Sequence, residues 1–171
     1  MSAIRKAPDA ELASAAGQIP EERQTPAASL TWRIHGWSDQ KERLLSPTFQ
    51  IPGSRCTWRL LVFPKGNGKK AKGHVSAYIY PCSCAGEPRK ETVSYRIEVV
   101  HPGNKDASAG AEGMFKFIYS GGVAPTEGHV PGGGFQKFVN ALHLRNGKFV
   151  RKGNTLLVRV KGTFLSGEPA F

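Results

Sequence analysis

The sequence predicts an all-β protein, an antiparallel β-sandwich with one short helix. Several short segments alternate apolar and polar residues, glycine-rich turn clusters separate them, and a single segment has helical spacing. A chain of 171 residues fits one domain with a substantial core. No apolar run is long enough for a helix to span a bilayer, so a helical membrane-spanning protein is excluded and no membrane partner is expected.

The predicted strands alternate with a period of two residues. In the clearest segment, TVSYRIEVV, the side chains of Val93, Tyr95 and Ile97 lie on one face and polar side chains lie on the other. In chain order the strand-like segments are LTWRI, TWRLLVF, HVSAYIY, TVSYRIEVV, MFKFIY and TLLVRVKG. Turn clusters such as PKGNGKKAKG, HPGNKDASAGAEG and RKGN lie between them.

One segment has the spacing of a helix. Three glycines, Gly132, Gly133 and Gly134, lead directly into it, and its apolar residues follow at i, i+3, i+4 and i+7. These residues are Phe135, Phe138, Val139 and Leu142. The sequence therefore predicts a short helix that begins just after the glycine run.

The chain divides into a leader, a sandwich and a short tail. Residues 1–29 are rich in alanine, proline and glutamate, and we expect them to be mostly disordered. Strand patterning begins at Leu30, so the sandwich is predicted to span residues 30–165 and the tail residues 166–171.

The net charge of +11 lies in the body of the chain. Residues 1–29 carry three basic and four acidic residues, whereas residues 30–171 carry 21 basic and nine acidic residues. Such a charge attracts acidic peptides, nucleic acid or anionic lipid. A basic nucleic-acid-binding β domain is therefore the alternative function, although the basic residues are scattered along the sequence and no ribonucleoprotein motif occurs.

The three cysteines, Cys56, Cys82 and Cys84, form an odd set without the spacing of a disulfide framework. The chain also lacks a signal-peptide pattern and an Asn-x-Ser/Thr acceptor. We therefore expect reduced thiols and an intracellular location, cytoplasmic or nuclear. Cys82 and Cys84, with His74 and His101 nearby in the sequence, lack the second pair that a structural zinc site uses, so no metal is predicted.

No motif predicts an enzyme or a cofactor. The segment HVPGGG is similar to the oxyanion loop of lipases, but the Gly-x-Ser-x-Gly elbow that this chemistry needs does not occur. The segment PKGNGKKAKG lacks the Gly-Lys-Ser/Thr ending of a phosphate-binding loop. The sequence shows no paired carboxylates of the kind used in acid–base catalysis, and we expect a non-catalytic protein.

The order of several sequence blocks resembles the MATH domain, the meprin and TRAF homology fold. The blocks are LTWRIHGWS, LLSPTFQI, CTWRLLVFPKG, HVSAYIY, TVSYRIEVV, GMFKFIYS, GFQKFVNALHL and GNTLLVRVKG, which together cover roughly residues 30–163. The resemblance implies a sandwich of about eight strands, with Trp32, Trp58 and Phe138 in its core. It also implies a non-catalytic adaptor, linked to ubiquitin-pathway or signalling partners, that binds a short extended peptide in a groove beside an edge strand.

The resemblance also implies where a peptide would bind. In the speckle-type POZ branch of the family, aromatic residues of the middle strands and a Trp-Gly-Phe step line the groove. Tyr78 and Phe115 match two of those aromatic residues, and the pair Gly134 and Phe135 matches the Gly-Phe step. Two further positions depart from the pattern, since Val93 stands in place of a phenylalanine and Gly133 in place of the tryptophan. The predicted peptide-binding residues are Tyr78, Val93, Phe115, Gly132, Gly133, Gly134 and Phe135.

Three expectations follow from this assignment. Tyr78, Phe115 and Phe135 should form one apolar patch beside the edge strand. A Gly133→Trp substitution should strengthen binding of a speckle-type peptide, one rich in small hydroxyl residues after an apolar residue. The chain should be a monomer, because residues 1–29 lack the repeated heptads of the coiled coil through which TRAF-type proteins trimerise.

Overall fold

Two antiparallel sheets face each other in the computed structural model, which describes residues 28–119 and 132–170. The strands are β1 (Ala28–His35), β2 (Leu44–Leu45), β3 (Phe49–Gln50), β4 (Cys56–Phe63), β5 (His74–Cys84), β6 (Arg89–Val99), β7 (Ala109–Tyr119), β8 (Gly133–Asn140) and β9 (Thr155–Pro169). One α-helix, α1, spans Ala141–Asn146. The predicted antiparallel β-sandwich is confirmed, and the strands that the alternating pattern did not predict are β8 and the two-residue strands β2 and β3.

The order of the strands places two edges on one side of the molecule, and among the described residues neither is paired further. The first sheet has the order β1-β9-β6-β7, and the second has the order β2-β4-β5-β8 with β3 also paired to β4. β7 and β8 are therefore edge strands of different sheets, and they lie beside each other.

The core lies between the sheets and is built by the alternating apolar residues. Trp58 and Ile97 are fully buried at its centre, and Phe138 is also buried, as predicted. Trp32 lies at the edge of the core and is only partly buried. In the part of the chain that the structure describes, no helix is long and apolar enough to cross a membrane.

The predicted helix after the glycine run is wrong in its position. Residues 133–140 form β8, which pairs with β5, and only residues 141–146 are helical. Aromatic and β-branched residues favour strands, and the edge of β5 offers them backbone partners. The register shift between Val75 and Ala77 lets two consecutive residues, Phe138 and Val139, both be buried. Consecutive apolar residues break the period of two, so the sequence has the spacing expected of a helix. The helix begins where the Asn140 side chain accepts hydrogen bonds from the backbone of the first turn.

The predicted domain boundaries differ from the strands at both ends. β1 begins at Ala28, so the last two residues of the predicted leader are part of the sheet. Residues 166–169 of the predicted tail continue β9, because β6 extends to Arg89 and supplies partners up to Pro169. The rest of the leader, residues 1–27, lies outside the described residues.

The cysteines differ from the expectation of three reduced thiols. Cys56 and Cys84 lie opposite each other on β4 and β5 and form a disulfide, whereas Cys82 is free. The antiparallel register brings together two residues that are 28 positions apart, which the sequence spacing does not reveal. The cysteines therefore give no support to an intracellular location.

One buried carboxylate connects a loop of the second sheet to the first sheet. Glu91 on β6 has no exposed surface, and it accepts hydrogen bonds from the Ser54 hydroxyl at 2.7 Å and from the Arg55 backbone N–H at 3.0 Å. The Arg89 guanidinium lies 3.7 Å from the same carboxylate. Its buried lone pairs are thus satisfied by a hydroxyl, an amide and a nearby positive charge.

A second glutamate joins strands on the outer face of the first sheet. Glu98 on β6 accepts a hydrogen bond from the Arg159 Nε of β9 at 2.6 Å and another from the Arg96 Nε at 3.2 Å. Burial raises the pKa of Glu98, but the hydrogen bonds and charges of Arg159, Arg96 and Lys161 outweigh it, so the pKa lies below its ordinary value.

We expect Glu91→Ala to lower the free energy of unfolding by about 3 kcal/mol, because it leaves buried donors and a guanidinium without their acceptor. Urea unfolding followed by tryptophan fluorescence measures the change. The matched control is Glu87→Ala, which removes an exposed glutamate four residues away and should cost less than about 0.5 kcal/mol. Equal losses in the two variants would contradict the role given to Glu91.

We expect Glu98→Gln to make stability less dependent on acidic pH. The lowered pKa means that ionised Glu98 stabilises the fold above the ordinary glutamate pKa of about 4.3, and this contribution is lost as the pH falls through the folded pKa. Urea unfolding at pH about 7 and about 3 should show a smaller loss for this variant than for the wild type. Glu112→Gln, at an exposed glutamate 3.4 Å from Arg96, is the control and should retain the wild-type loss.

Candidate functional site

The first residues of β8 lie against aromatic side chains on the inner side of the sandwich. A Cβ atom on Gly133 would lie 2.9 Å from the Phe115 Cβ and 3.0 Å from the Tyr95 Cε1. Phe115 and Tyr95 therefore occupy the space that a side chain at position 133 would need. The indole of a Gly133→Trp variant would therefore have no room unless these rings move.

The next residue lies against an aromatic side chain on the outer side of the second sheet. A Cβ atom on Gly134 would lie 2.5 Å from the Tyr78 Cδ2 and 2.6 Å from the Tyr78 Cα, and it would also meet the carbonyl oxygen of Ala77. Glycine is therefore required for β8 to pair this closely with β5. The start of β8 thus runs between aromatic rings on its two faces.

An aromatic cluster lies on the inner face of this edge. The rings of Tyr95 and Phe135 are 5.8 Å apart, and the Phe115 ring stacks on Phe117 at 5.2 Å. Phe115 and Phe135 are half-buried, whereas Tyr95 is 6% exposed. Burial raises the pKa of the Tyr95 hydroxyl, so this ring stays neutral over the physiological range.

The sequence placed Tyr95 on the apolar face of its strand but not in the predicted site. Its position among the inward residues of β6 was visible in the alternating pattern. What the pattern could not show is that β7 and β8 both bring residues next to this ring, because that depends on how the sheets meet.

Tyr78 belongs to the outer face and not to the aromatic cluster. Its ring packs edge-on against Phe63 at 6.0 Å, and its hydroxyl accepts a hydrogen bond from the Asn67 side chain at 3.3 Å. The expectation of one apolar patch containing Tyr78, Phe115 and Phe135 is therefore wrong, because β8 lies between Tyr78 and the other two rings. The edge instead has Tyr78 on its outer face, and Phe115 and Phe135 on its inner face.

Two further predicted site residues, Val93 and Gly132, lie in the core and just before β8. Val93 has no exposed surface and lies in the core opposite Phe115, so its side chain cannot contact a peptide directly. Gly132 is half-buried and lies just before β8, outside any regular element. The remainder of the preceding loop, residues 120–131, lies outside the described residues.

A polar brace that the sequence did not reveal holds β8 at its bulge. The buried Ser76 hydroxyl donates to the Gln136 carbonyl at 2.6 Å and accepts from the Asn67 N–H at 2.8 Å. The Gln136 side chain in turn donates to the Asn67 carbonyl at 2.8 Å. The loop between β4 and β5 therefore braces β8 on the side that pairs with β5, a role that its glycines and lysines do not indicate.

The arrangement offers backbone hydrogen-bonding groups and aromatic surface. Among residues 28–119 and 132–170, no group of three or more His, Cys, Asp or Glu side chains is placed to hold a metal ion. The disulfide also removes Cys84 from the Cys82 and Cys84 pair that a metal would need.

Comparison with known proteins gives matches at the level of sequence and of structure. A family model described as the MATH domain matches residues 29–161. A MATH domain and coiled-coil domain-containing protein of Arabidopsis thaliana is 42% identical over 57 residues, which are 33% of this chain and 18% of that protein. The match therefore spans less than a fifth of that relative's length. Notothenia coriiceps TRAF5 has a similar fold, with a TM-score of 0.56 and 19% identity over 81% of this chain and 74% of that chain.

We expect Gly133→Ala to destabilise the fold by about 1–3 kcal/mol, because the added methyl group meets Phe115 and Tyr95. Gly133→Trp should cost more for the same reason. Gly103→Ala is the control, since the nearest atom to its Cβ would be 4.0 Å away. Urea unfolding of the three variants measures the losses. A Gly133→Ala protein with the wild-type free energy of unfolding would contradict the close packing described at this edge.

Proposed function

Because the chain belongs to the MATH domain family, whose members are in general protein-interaction modules, we propose that it is a non-catalytic module that binds a short extended segment of a protein partner. The proposed site is the free edge of β8 at residues 132–135. The observation that supports it is the position of this edge, which is glycine-rich and has aromatic rings on both faces.

The free edge of β8 suits recognition by strand addition. β8 pairs with β5 on one side, and within the described residues no strand pairs with its other side. An extended peptide that pairs with such an edge gains main-chain hydrogen bonds, which depend little on its sequence.

The two faces of the edge would supply selectivity. Successive side chains of an added strand point to opposite faces of a sheet. One set would point towards Tyr78, and the other towards Phe135. Both faces are aromatic, so we expect a bound segment with apolar or small residues at alternate positions.

Nucleic acid is favoured by one observation, the net charge of +11. Proteins that hold single strands without sequence preference combine such charge with exposed aromatic rings on which bases stack. In the described part of the chain the exposed large apolar side chains are Met114, Ile118, Leu142 and Leu165, none of which is aromatic. A protein segment therefore fits the surface better than a nucleic acid strand.

We expect Tyr78→Ala and Phe135→Ala each to weaken binding of a selected peptide by about 1–3 kcal/mol, because each removes the aromatic surface of one face. The peptide would come from a random extended-peptide library selected on the wild-type chain, and calorimetry would measure its affinity. Leu165→Ala, at a side chain that is 49% exposed, is the control and should change affinity by less than about 0.5 kcal/mol.

Thermal unfolding of each variant would show that the domain is folded at the assay temperature. Equal affinities for all four proteins would contradict the proposed site, as would a failure to select any peptide. Loss with only one of the two aromatic variants would show that the peptide uses one face.

A further inference from the structure

The positive charge of the chain is concentrated at one end of the sandwich. The sheet topology places the C-terminal ends of β1, β4, β6 and β8 at the same end of the sandwich, together with the loops and the helix that follow them. This group, the helix end, consists of residues 37–43, 64–74, 100–108 and 141–154. It carries 11 lysines and arginines against three acidic residues. The rest of the chain has 13 basic and 10 acidic residues, so the helix end holds most of the net charge.

A cavity opens within the helix end. It has a volume of about 100 Å³ and lies between the turn after β1, the loop after β4 and helix α1. Buried Trp37, Pro64 and Leu144 give it an apolar floor, and exposed Lys65 and Arg145 give it two cationic walls. Ser38 and Gln40 complete the lining with polar groups.

The two cationic walls have no carboxylate partner in the described part of the chain. Neither Lys65 nor Arg145 forms an ion pair with a described carboxylate, whereas Arg89, Lys90, Arg96 and Arg159, which lie outside the helix end, do. The Nε of Arg151, which follows the lining residue Val150, is buried without a hydrogen-bond acceptor among the described residues. The helix end thus has an excess of donors and positive charge over acceptors.

The dimensions and lining of the cavity indicate the ligand. A volume of about 100 Å³ holds several water molecules and is enough for a carboxylate on a short methylene stem. The apolar floor suits the stem, and the lysine and guanidinium groups suit the carboxylate. This combination is the side chain of glutamate or aspartate.

We propose that the helix end is a second binding site, which takes an acidic segment of a protein and places one carboxylate side chain between Lys65 and Arg145. The surrounding lysines, among them Lys69, Lys70 and Lys148, attract further acidic residues of the segment. Such attraction raises the association rate and weakens with salt.

The helix end is connected to the aromatic edge by β8 itself. The strand runs from Gly133 to Asn140, and eight residues at 3.3 Å each span roughly 25 Å. A single extended segment would therefore reach both sites if its acidic residues lay about eight positions from its apolar motif. This spacing, unlike the helix-end site alone, rests on the proposed function of β8.

The test uses a fluorescein-labelled peptide of alternating glutamate and glycine, with the full chain and fluorescence anisotropy. Lys65→Glu combined with Arg145→Glu should weaken its binding at least about ten-fold, since two attractions become repulsions. The control combines Arg55→Glu with Lys90→Glu, two exposed cations outside the helix end, and changes the net charge equally. It should weaken binding less than about three-fold, through the long-range field alone.

Three results would overturn the proposal. The first is absence of binding to the wild type, and the second is an equal loss of affinity in the two double variants. The third is that an oligothymidylate of equal length binds the wild type more tightly than the peptide does, and that the variant with Lys65→Glu and Arg145→Glu loses this binding. A peptide with glutamine in place of glutamate should not bind. Loss of glutamate-peptide binding in the Lys65→Glu and Arg145→Glu variant reports on the helix end, whereas Tyr78→Ala and Phe135→Ala with a selected peptide report on the edge of β8. This site and the proposed function of β8 can therefore fail separately.

Discussion

The fully buried Trp58 is the contact on which the spacing of the two sheets depends. Its indole lies on β4 and meets Phe117 of β7 edge-on at 5.3 Å, with Phe115 at 6.3 Å. Its Nε1 donates to the Ser54 hydroxyl at 3.1 Å, and that hydroxyl donates to the buried Glu91. The Trp58 ring and the two hydrogen bonds through Ser54 thus join the same two sheets. The ring can be buried only because its indole N–H has the Ser54 hydroxyl as acceptor.

This contact determines what the edge of the sandwich offers. By fixing β7 against the second sheet, Trp58 sets Phe115 beside Gly133, and Tyr95 fills the remaining space from β6. The family resemblance puts a tryptophan at position 133, whereas this chain supplies aromatic surface there from neighbouring strands. Close packing explains the exchange, since a volume in a sandwich can be filled from either sheet and only the total is constrained.

The aromatic edge and the helix end use different forces. Binding at the edge depends on backbone hydrogen bonds and on removing aromatic surface from water, neither of which salt screens strongly. Attraction at the helix end is Coulombic, acts over about a Debye length and weakens as ionic strength rises. One segment bound at both would gain from linkage, because the second contact would be intramolecular once the first had formed.

The sequence by itself determined the fold class, the inward residues of the main strands and the excess of positive charge, because these follow from a period of two and from counting. It did not determine that residues 133–140 form a strand, because edge pairing with β5 overrode a helical pattern of apolar residues. Only the tertiary structure paired Cys56 with Cys84, buried Glu91 among its donors and left no room at Gly133 for a side chain. It also gathered basic residues from four separate segments at one end. Each of these depends on contacts between residues far apart in the chain, and a local pattern contains no information about which distant segment will lie opposite.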